Sequence, residues 1–327
     1  MDILLKNNNL NILVALPHSI GGRLTTSSII DGLKSNPFNV FIFDELKQSP
    51  QDFINIINST AIDIIIGYGY SAQLLKIQYN LDCKVINYFS DEMDKFQAGA
   101  GYENYKNLLK EKNVYNFYWD ECLTKKMNKE YKNIFYLPHF VNTDIYKQTN
   151  QKPQYEVMFA GRLDTNYRLN FWMELIKSMP DVKFCWHAIE KHYNDAISRL
   201  NKDEAKLLSK TYQGFIDNEK DMAKAINNSK IVINMHSQGV SSLNYRTFQV
   251  MACEKLLLCD YRDEIGSLFN NKGLVIYKDL NDIKLKINHY LYNEVDYNEV
   301  IKNARAKICE NHDATLCVKK MIEFTQI

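Results

Sequence analysis

Short apolar runs bounded by polar turns recur along the first half of the chain, at residues 11–16, 39–43, 62–66, 84–88, 115–119 and 134–137. Each has the length of a buried strand. Between them lie stretches with helical spacing, such as "SSIIDGLKS" and "SAQLLKIQYN", with small or polar residues in place to cap their starts. Strand, helix and strand in alternation predict a parallel sheet with helices on both faces. The polar stretch "KQTNQKPQ", residues 147–154, interrupts this rhythm, and "YEVMFAG" restarts it. Further runs follow at 157–160, 182–186, 213–216, 231–235, 256–259 and 274–277, and residues 297–327 read as helix. The pattern predicts an α/β chain of two Rossmann-like domains facing across a cleft. The first spans 1–148 and the second 149–327, with the terminal helices crossing back to the first. In such sheets ligands bind beyond the carboxyl ends of the strands, so the loops after these runs are where chemistry belongs.

Composition narrows the partners. The 327 residues are 46% hydrophobic and 24% charged, enough apolar material for two cores. Lys plus Arg number 40 against 39 Asp plus Glu, so no global field gathers nucleic acid, and an anion must be held locally. Seven cysteines, none in a CxxC pair, fit a reducing cytoplasm. "NILVAL" is too short for a signal-peptide core, and no apolar span reaches membrane length. The expectation is a cytoplasmic protein. Lysines between Lys106 and Lys132 offer peripheral contact with anionic lipid at the inner membrane face, although interspersed acids read equally as a solvated surface.

Several stretches could carry chemistry. "GYGYSA", residues 67–72, has the form G-x-G-x-x-A before a helix, with Asp91 where a dinucleotide site would put its ribose acid. Two strand–helix units precede it, however, whereas that fingerprint opens its own unit, and tight-turn glycines account for it as well. Asp91, Glu92 and Asp94 after the next strand could hold a divalent metal on a nucleotide diphosphate, or could simply favour a helix start. His187, Glu190 and His192 do not converge on one helical face and read as solvated surface. Gly21 and Gly22, between a strand and a helix, would let backbone amides approach an anion. In "FAGRLDTNYRL" a strand leads to Gly161, Arg162 and Arg168, two guanidiniums able to clamp a diphosphate. The strand in "KIVINMHSQGV" ends at His236, and Ser242, Asn244, Arg246 and Gln249 crowd the start of the helix that follows. A polar ligand explains that crowd better than packing does.

"GRL", "KIVINMH" and "LNYRTFQVMACEKLLLCDYRDEIGSLF" followed by "LVIYKDLNDIKLKINHYL" resemble the donor domain of GT-B-fold glycosyltransferases. The closest pattern is the group 1 family, in its spore-maturation-protein-like branch. "YLPHFVNTDIYK" is similar to the segment before that family's interdomain linker, and "ICENHDATLCVKKMIEF" to its terminal helical segment. The resemblance implies transfer of a sugar from a nucleotide-diphosphate-sugar donor, held by the second domain, to a glycan or lipid-linked acceptor, held mostly by the first. It implies a retaining reaction in which the donor phosphate assists departure, with no metal and no other cofactor.

The resemblance also implies roles. Gly21 and Gly22 match the first glycine loop near the phosphates. Gly161, His236, Ser242, Asn244 and Arg246 line the donor. Arg162 and Arg168 match the basic diphosphate contacts and stabilise the leaving group. Asp91, and after it His18, is the polar group expected near the reacting carbon. Gln249 stands where many relatives carry a ribose-binding glutamate, Ser241 where the E-x7-E motif puts its first glutamate, and Glu254 replaces a usual glycine. Glutamine still binds hydroxyls but offers no carboxylate. The sugar-contacting role then passes to Asn244 or to the loop 237–240. Three alternatives remain: a nucleotide-sugar binder without turnover, a metal-dependent transferase and a nicotinamide enzyme.

Overall fold

The computed structural model describes residues 10–90 and 107–325. It divides into two compact units. The first gathers residues 1–142, 238–245 and 311–327, and the second residues 143–237 and 246–310.

The first unit is a six-stranded parallel sheet in the order β2-β1-β3-β4-β5-β6. Its strands are β1 (Asn11–Ala15), β2 (Asn39–Phe43), β3 (Ile64–Tyr68), β4 (Lys84–Phe89), β5 (Val114–Tyr118) and β6 (Ile134–Tyr136). Because neighbouring side chains on a strand point to opposite faces, the strands feed two cores. Ile12, Val14, Ile64, Ile66 and Ile86 pack with α1 (Ile20–Lys34) and with the last helix of the chain, Ala314–Phe324. Leu13, Ala15, Ile65 and Val85 pack with α2 (Pro50–Ser59) and α3 (Ser71–Gln78). Local signals set the helix starts. Ser49 and Asp52 form a capping box on α2 with Pro50 in the first turn, and the Ser19 hydroxyl caps α1 by accepting from the Gly22 amide. Asp120 caps α4 (Glu121–Met127).

The second unit is a five-stranded parallel sheet, β11-β10-β9-β7-β8, built from β7 (Tyr155–Ala160), β8 (Phe184–His187), β9 (Ser229–Asn234), β10 (Leu256–Asp260) and β11 (Val275–Tyr277). Eight helices belong with it in chain order: α5 (Asn166–Ser178), α6 (Glu190–Ser198), α7 (Lys202–Ser209), α8 (Glu219–Asn227), α9 (Tyr245–Ala252), α10 (Glu264–Phe269), α11 (Leu280–Tyr292) and α12 (Glu294–Lys302). Then come α13 (Ala304–Asn311) and α14 (Ala314–Phe324). Its main core joins Val157, Phe159, Ile231 and Ile233 to Leu169 and Trp172 of α5 and Ile283 and Ile287 of α11.

Two local expectations are corrected, and the tight turn read at residues 67–72 is present. Residues 213–216 form no strand: pairing at that edge stops at one bridge, Trp186 to Tyr212, and the chain turns at Gly214 with φ +82°. Gly21 and Gly22 are not a loop but the second and third residues of α1. Gly67 ends inside β3, where a Cβ would fall 2.5 Å from the Ala72 amide, so "GYGYSA" is a close strand-to-helix turn.

Candidate functional site

Both sheets reverse direction beside their first strand. In the first, the chain steps from β1 outward to β2 and returns to β3 on the other side; in the second, it steps from β7 to β8 and returns to β9. Ligands of doubly wound sheets bind at the carboxyl end of such a reversal.

In the second unit this point lies between the residues after β7 and those after β9. The ends of parallel strands leave carbonyls that need donors. Arg168 supplies them: its guanidinium donates to the Arg162 carbonyl at 3.1 Å and to the Met235 carbonyl, joining the two lips. It is buried, and burial lowers its pKa against the opposing pull of Asp164. The structure therefore makes Arg168 a brace across the crevice, where a free clamp was expected. Arg162, with its side chain 47% exposed and 3.4 Å from Asp164, is the guanidinium that reaches solvent. Gly161 donates its amide to the His187 carbonyl and accepts from the Trp186 indole at 2.9 Å.

His236 is also turned inward. Its Nδ1 lies 2.7 Å from Asp260 Oδ1, its amide donates to the same oxygen, and its Nε2 is 3.5 Å from Asn234 Nδ2. Both ring nitrogens are thus engaged with protein. Burial alone would raise the Asp260 carboxyl, but the bonds from His236 and the charge of Arg262 hold it below the usual carboxylate range. His187, taken above for solvated surface, is half-buried at the end of β8 against the Gly214 carbonyl, and burial lowers its pKa. On α9, Arg246 donates to Gln249 Oε1 at 2.6 Å while the Gln249 amide donates to the Tyr146 hydroxyl. Gln249 is 2% exposed, so both ends of its amide meet protein inside the unit.

Residues 238–245, which lead into α9, belong to the first unit. There the Asp120 carboxylate, fully buried, accepts from the amides of Val240, Ser241 and Ser242 at 2.7, 3.1 and 3.2 Å. It also accepts from the Ser241 hydroxyl and the Leu123 amide. Gly239 has φ +76°, and a Cβ there would stand 2.9 Å from Asp120 Oδ2 and collide with Ser242, so only glycine closes the turn. Tyr245 bonds Ser28 at 2.6 Å, and Asn244 lies half-buried between these anchors. Asp120 escaped sequence reasoning, although an aspartate ending an apolar run and starting a helix is a capping signal.

At the first sheet's reversal, Gly22 packs under a Cβ's distance from Pro17 and Tyr68, whereas Gly21 is open. His18 lies beside a cavity there, its Nε2 2.9 Å from Glu45 Oε2. Asp91, with Glu92 and Asp94, lies outside the described residues. All seven cysteines are unpaired, and among the described residues no helix is long and apolar enough to cross a membrane.

Residues 167–323, which hold α5, the β9–α9 segment and β10, match the family model described as glycosyl transferase-like. Solved structures agree along nearly the whole chain. HepE of Anabaena, in complex with UDP and glucose, superposes with a TM-score of 0.70 at 11% identity, covering 97% of this chain and 99% of that one. Sucrose-phosphate synthase of Thermosynechococcus elongatus gives 0.69 at 10% identity over 97% and 98%. A glycosyltransferase of Rickettsia africae gives 0.65 at 14% identity over 98% of each chain. The chain has the GT-B fold, and its second half carries the glycosyl transferase-like match. No curated protein matches it in sequence. The glycosyl transferase-like match begins after Arg162 and takes in Arg168, His236, Asn244, Arg246, Gln249 and Asp260.

Proposed function

We propose that this glycosyltransferase moves a sugar from a nucleoside-diphosphate sugar to a hydroxyl of a glycan or lipid-linked acceptor, with retention of configuration and without a metal ion or other cofactor. The observation that carries the proposal is that Arg162 reaches solvent beside the β7–β9 reversal, just ahead of a family match that takes in β9 and α9. A diphosphate there meets a guanidinium at the end of β7, and the first-turn amides of α9 lack helical partners by construction. Such charges stabilise a departing diphosphate without proton transfer, and a fixed position for the acceptor supplies the rest of the rate. Arg168 contributes by keeping the crevice lips together, and His18 remains the described side chain proposed nearest the reacting carbon. The complexes of HepE with UDP and glucose support a uridine nucleotide as the first donor to try.

The test is calorimetry with UDP on wild type and Arg162→Ala. Loss of one charged hydrogen bond should weaken binding by about 1.5–3 kcal/mol. Unchanged affinity overturns the placement of the diphosphate, and turnover that is lost in EDTA and restored by manganese overturns the metal-free scheme. A binder without turnover is the second reading, favoured by the Gln249 amide being taken up by Tyr146 and Arg246. Release of labelled sugar from a panel of nucleotide sugars decides between the two.

A further inference from the structure

The cavity over the carboxyl ends of β1, β2 and β3 measures about 430 Å³, within the usual range for ligand sites. Leu16, Pro17, Phe43, Tyr68, Leu74 and Leu75 form most of its wall. From α3 it takes Ser71, Leu74, Leu75 and Gln78, one stripe at helical spacing, and Leu74 leaves 43% of its surface in solvent. The wall's hydroxyls are engaged with protein: Ser19 accepts from the Gly22 amide, Ser71 donates to the Tyr68 carbonyl, and the Tyr68 hydroxyl accepts from Ser90. At the mouth stand His18 and Glu45, and no lysine or arginine is among the described lining residues. Arg23, the basic residue of α1's first turns, is held by Asp44 through bonds of 2.9 and 2.6 Å.

The pairing of His18 with Glu45 fixes what the mouth can bind. The Glu45 carboxylate keeps acceptor sites beyond the one that meets His18. That carboxylate accepts from hydroxyls and repels phosphate. An apolar wall with acceptors at its rim suits a molecule that is apolar on one side and carries hydroxyls on the other. We propose that this cavity is the acceptor subsite and takes a neutral, hydroxyl-bearing glycoside with an apolar aglycone, discriminating against sugar phosphates. The assignment to the acceptor rests on the donor occupying the second unit, as proposed above.

The test uses phenyl β-glucoside and octyl β-glucoside as neutral probes and glucose 1-phosphate as the anionic one, with binding followed by calorimetry. Wild type should bind the neutral glycosides more tightly than the phosphate. Leu74→Asp, at a half-exposed position, should weaken the glycosides at least tenfold. Gln78→Trp, which crowds the same stripe from the surface, should act in the same direction. Glu45→Gln should narrow the gap between phenyl glucoside and glucose 1-phosphate. Glycoside affinity untouched by both α3 variants overturns the subsite, and equal affinity for glucose 1-phosphate in wild type overturns its selectivity. UDP titration of each variant confirms that it is folded and separates the two proposals: failure of wild type to bind UDP removes the donor reading, while glycoside binding lost in Leu74→Asp still supports the cavity.

Discussion

Asp120 holds the turn between β9 and α9 through three consecutive amides, a hydroxyl and its own helix cap. In Asp120→Ala those amides lose their acceptor, at Ser241 and Ser242 in buried positions. Three of the bonds converge on one oxygen and do not add in full. Counting two charged bonds at the low end, about 1.5–2 kcal/mol each, gives a loss of about 3–4 kcal/mol. Asp120→Asn keeps one acceptor oxygen for the three amides, in neutral bonds, but turns its NH2 toward the Leu123 amide, and should lose at least half of that.

The carboxylate also ties stability to pH. Burial by itself would raise the Asp120 pKa, but the amides of Leu123, Val240 and Ser241 and the Ser242 hydroxyl together hold it below the usual carboxylate range. A lowered folded pKa means that the contribution is fully present above the unfolded value, about 3.9, and is lost as pH falls through the folded value. Wild type should therefore lose its advantage over Asp120→Asn below about pH 4, with the two denaturation midpoints converging. Hydrogen exchange of the peptide containing residues 239–243 gives the local readout, since a chain of two units need not unfold in one step. Protection at 240–242 that survives in Asp120→Ala, or midpoints that keep a constant separation down to pH 3, refutes the role assigned to this carboxylate.

Two further substitutions separate bracing from binding. Arg168→Ala strips donors from the carbonyls of Arg162 and Met235 and should cost about 2–4 kcal/mol of stability together with UDP affinity; a variant of unchanged melting temperature that loses only affinity would restore Arg168 as a direct diphosphate contact. Gln249→Ala removes bonds to Tyr146 and Arg246 and should lower stability by about 1–2 kcal/mol, leaving UDP affinity of the folded protein within about twofold; tenfold weaker binding at an unchanged melting temperature would return Gln249 to the ribose.

Strand positions were legible because buried parallel strands are written as apolar runs between turns. β2 falls on 39–43 as read, and β1, β4 and β5 are displaced by one residue at most at either end. The failure at 213–216 has the same physics. An apolar run becomes a strand only when a neighbour completes its ladder, and beyond β8 the pairing ends at Tyr212. Glu254 shows what a departure from a family pattern does locally. It has φ +53°, the left-handed conformation that a glycine takes without strain and that costs other residues about 1–2 kcal/mol. Its carboxylate stands 3.8 Å from Arg305, whose guanidinium donates to the carbonyls of Thr143, Tyr146 and Ala252.

The site was harder to read, because polar residues at the carboxyl edge of a parallel sheet can serve two ends that look alike in sequence. Strand ends and helix starts expose carbonyls and amides that a buried edge must satisfy, and the same side chains could satisfy a ligand. Hydrogen-bonding partners decide between these, and partners come from distant parts of the chain. The crowd from Ser241 to Gln249 divides on that basis. The Ser241 and Ser242 amides meet Asp120, the Tyr245 hydroxyl meets Ser28, and Arg246 with Gln249 meets Tyr146, across separations of 121, 122, 217 and 103 residues. Each of these polar groups thus meets protein, while Arg162 keeps its charge toward solvent. Amides already bonded to a carboxylate are closed to a ligand, which leaves the exposed Arg162 guanidinium as the group proposed for a diphosphate.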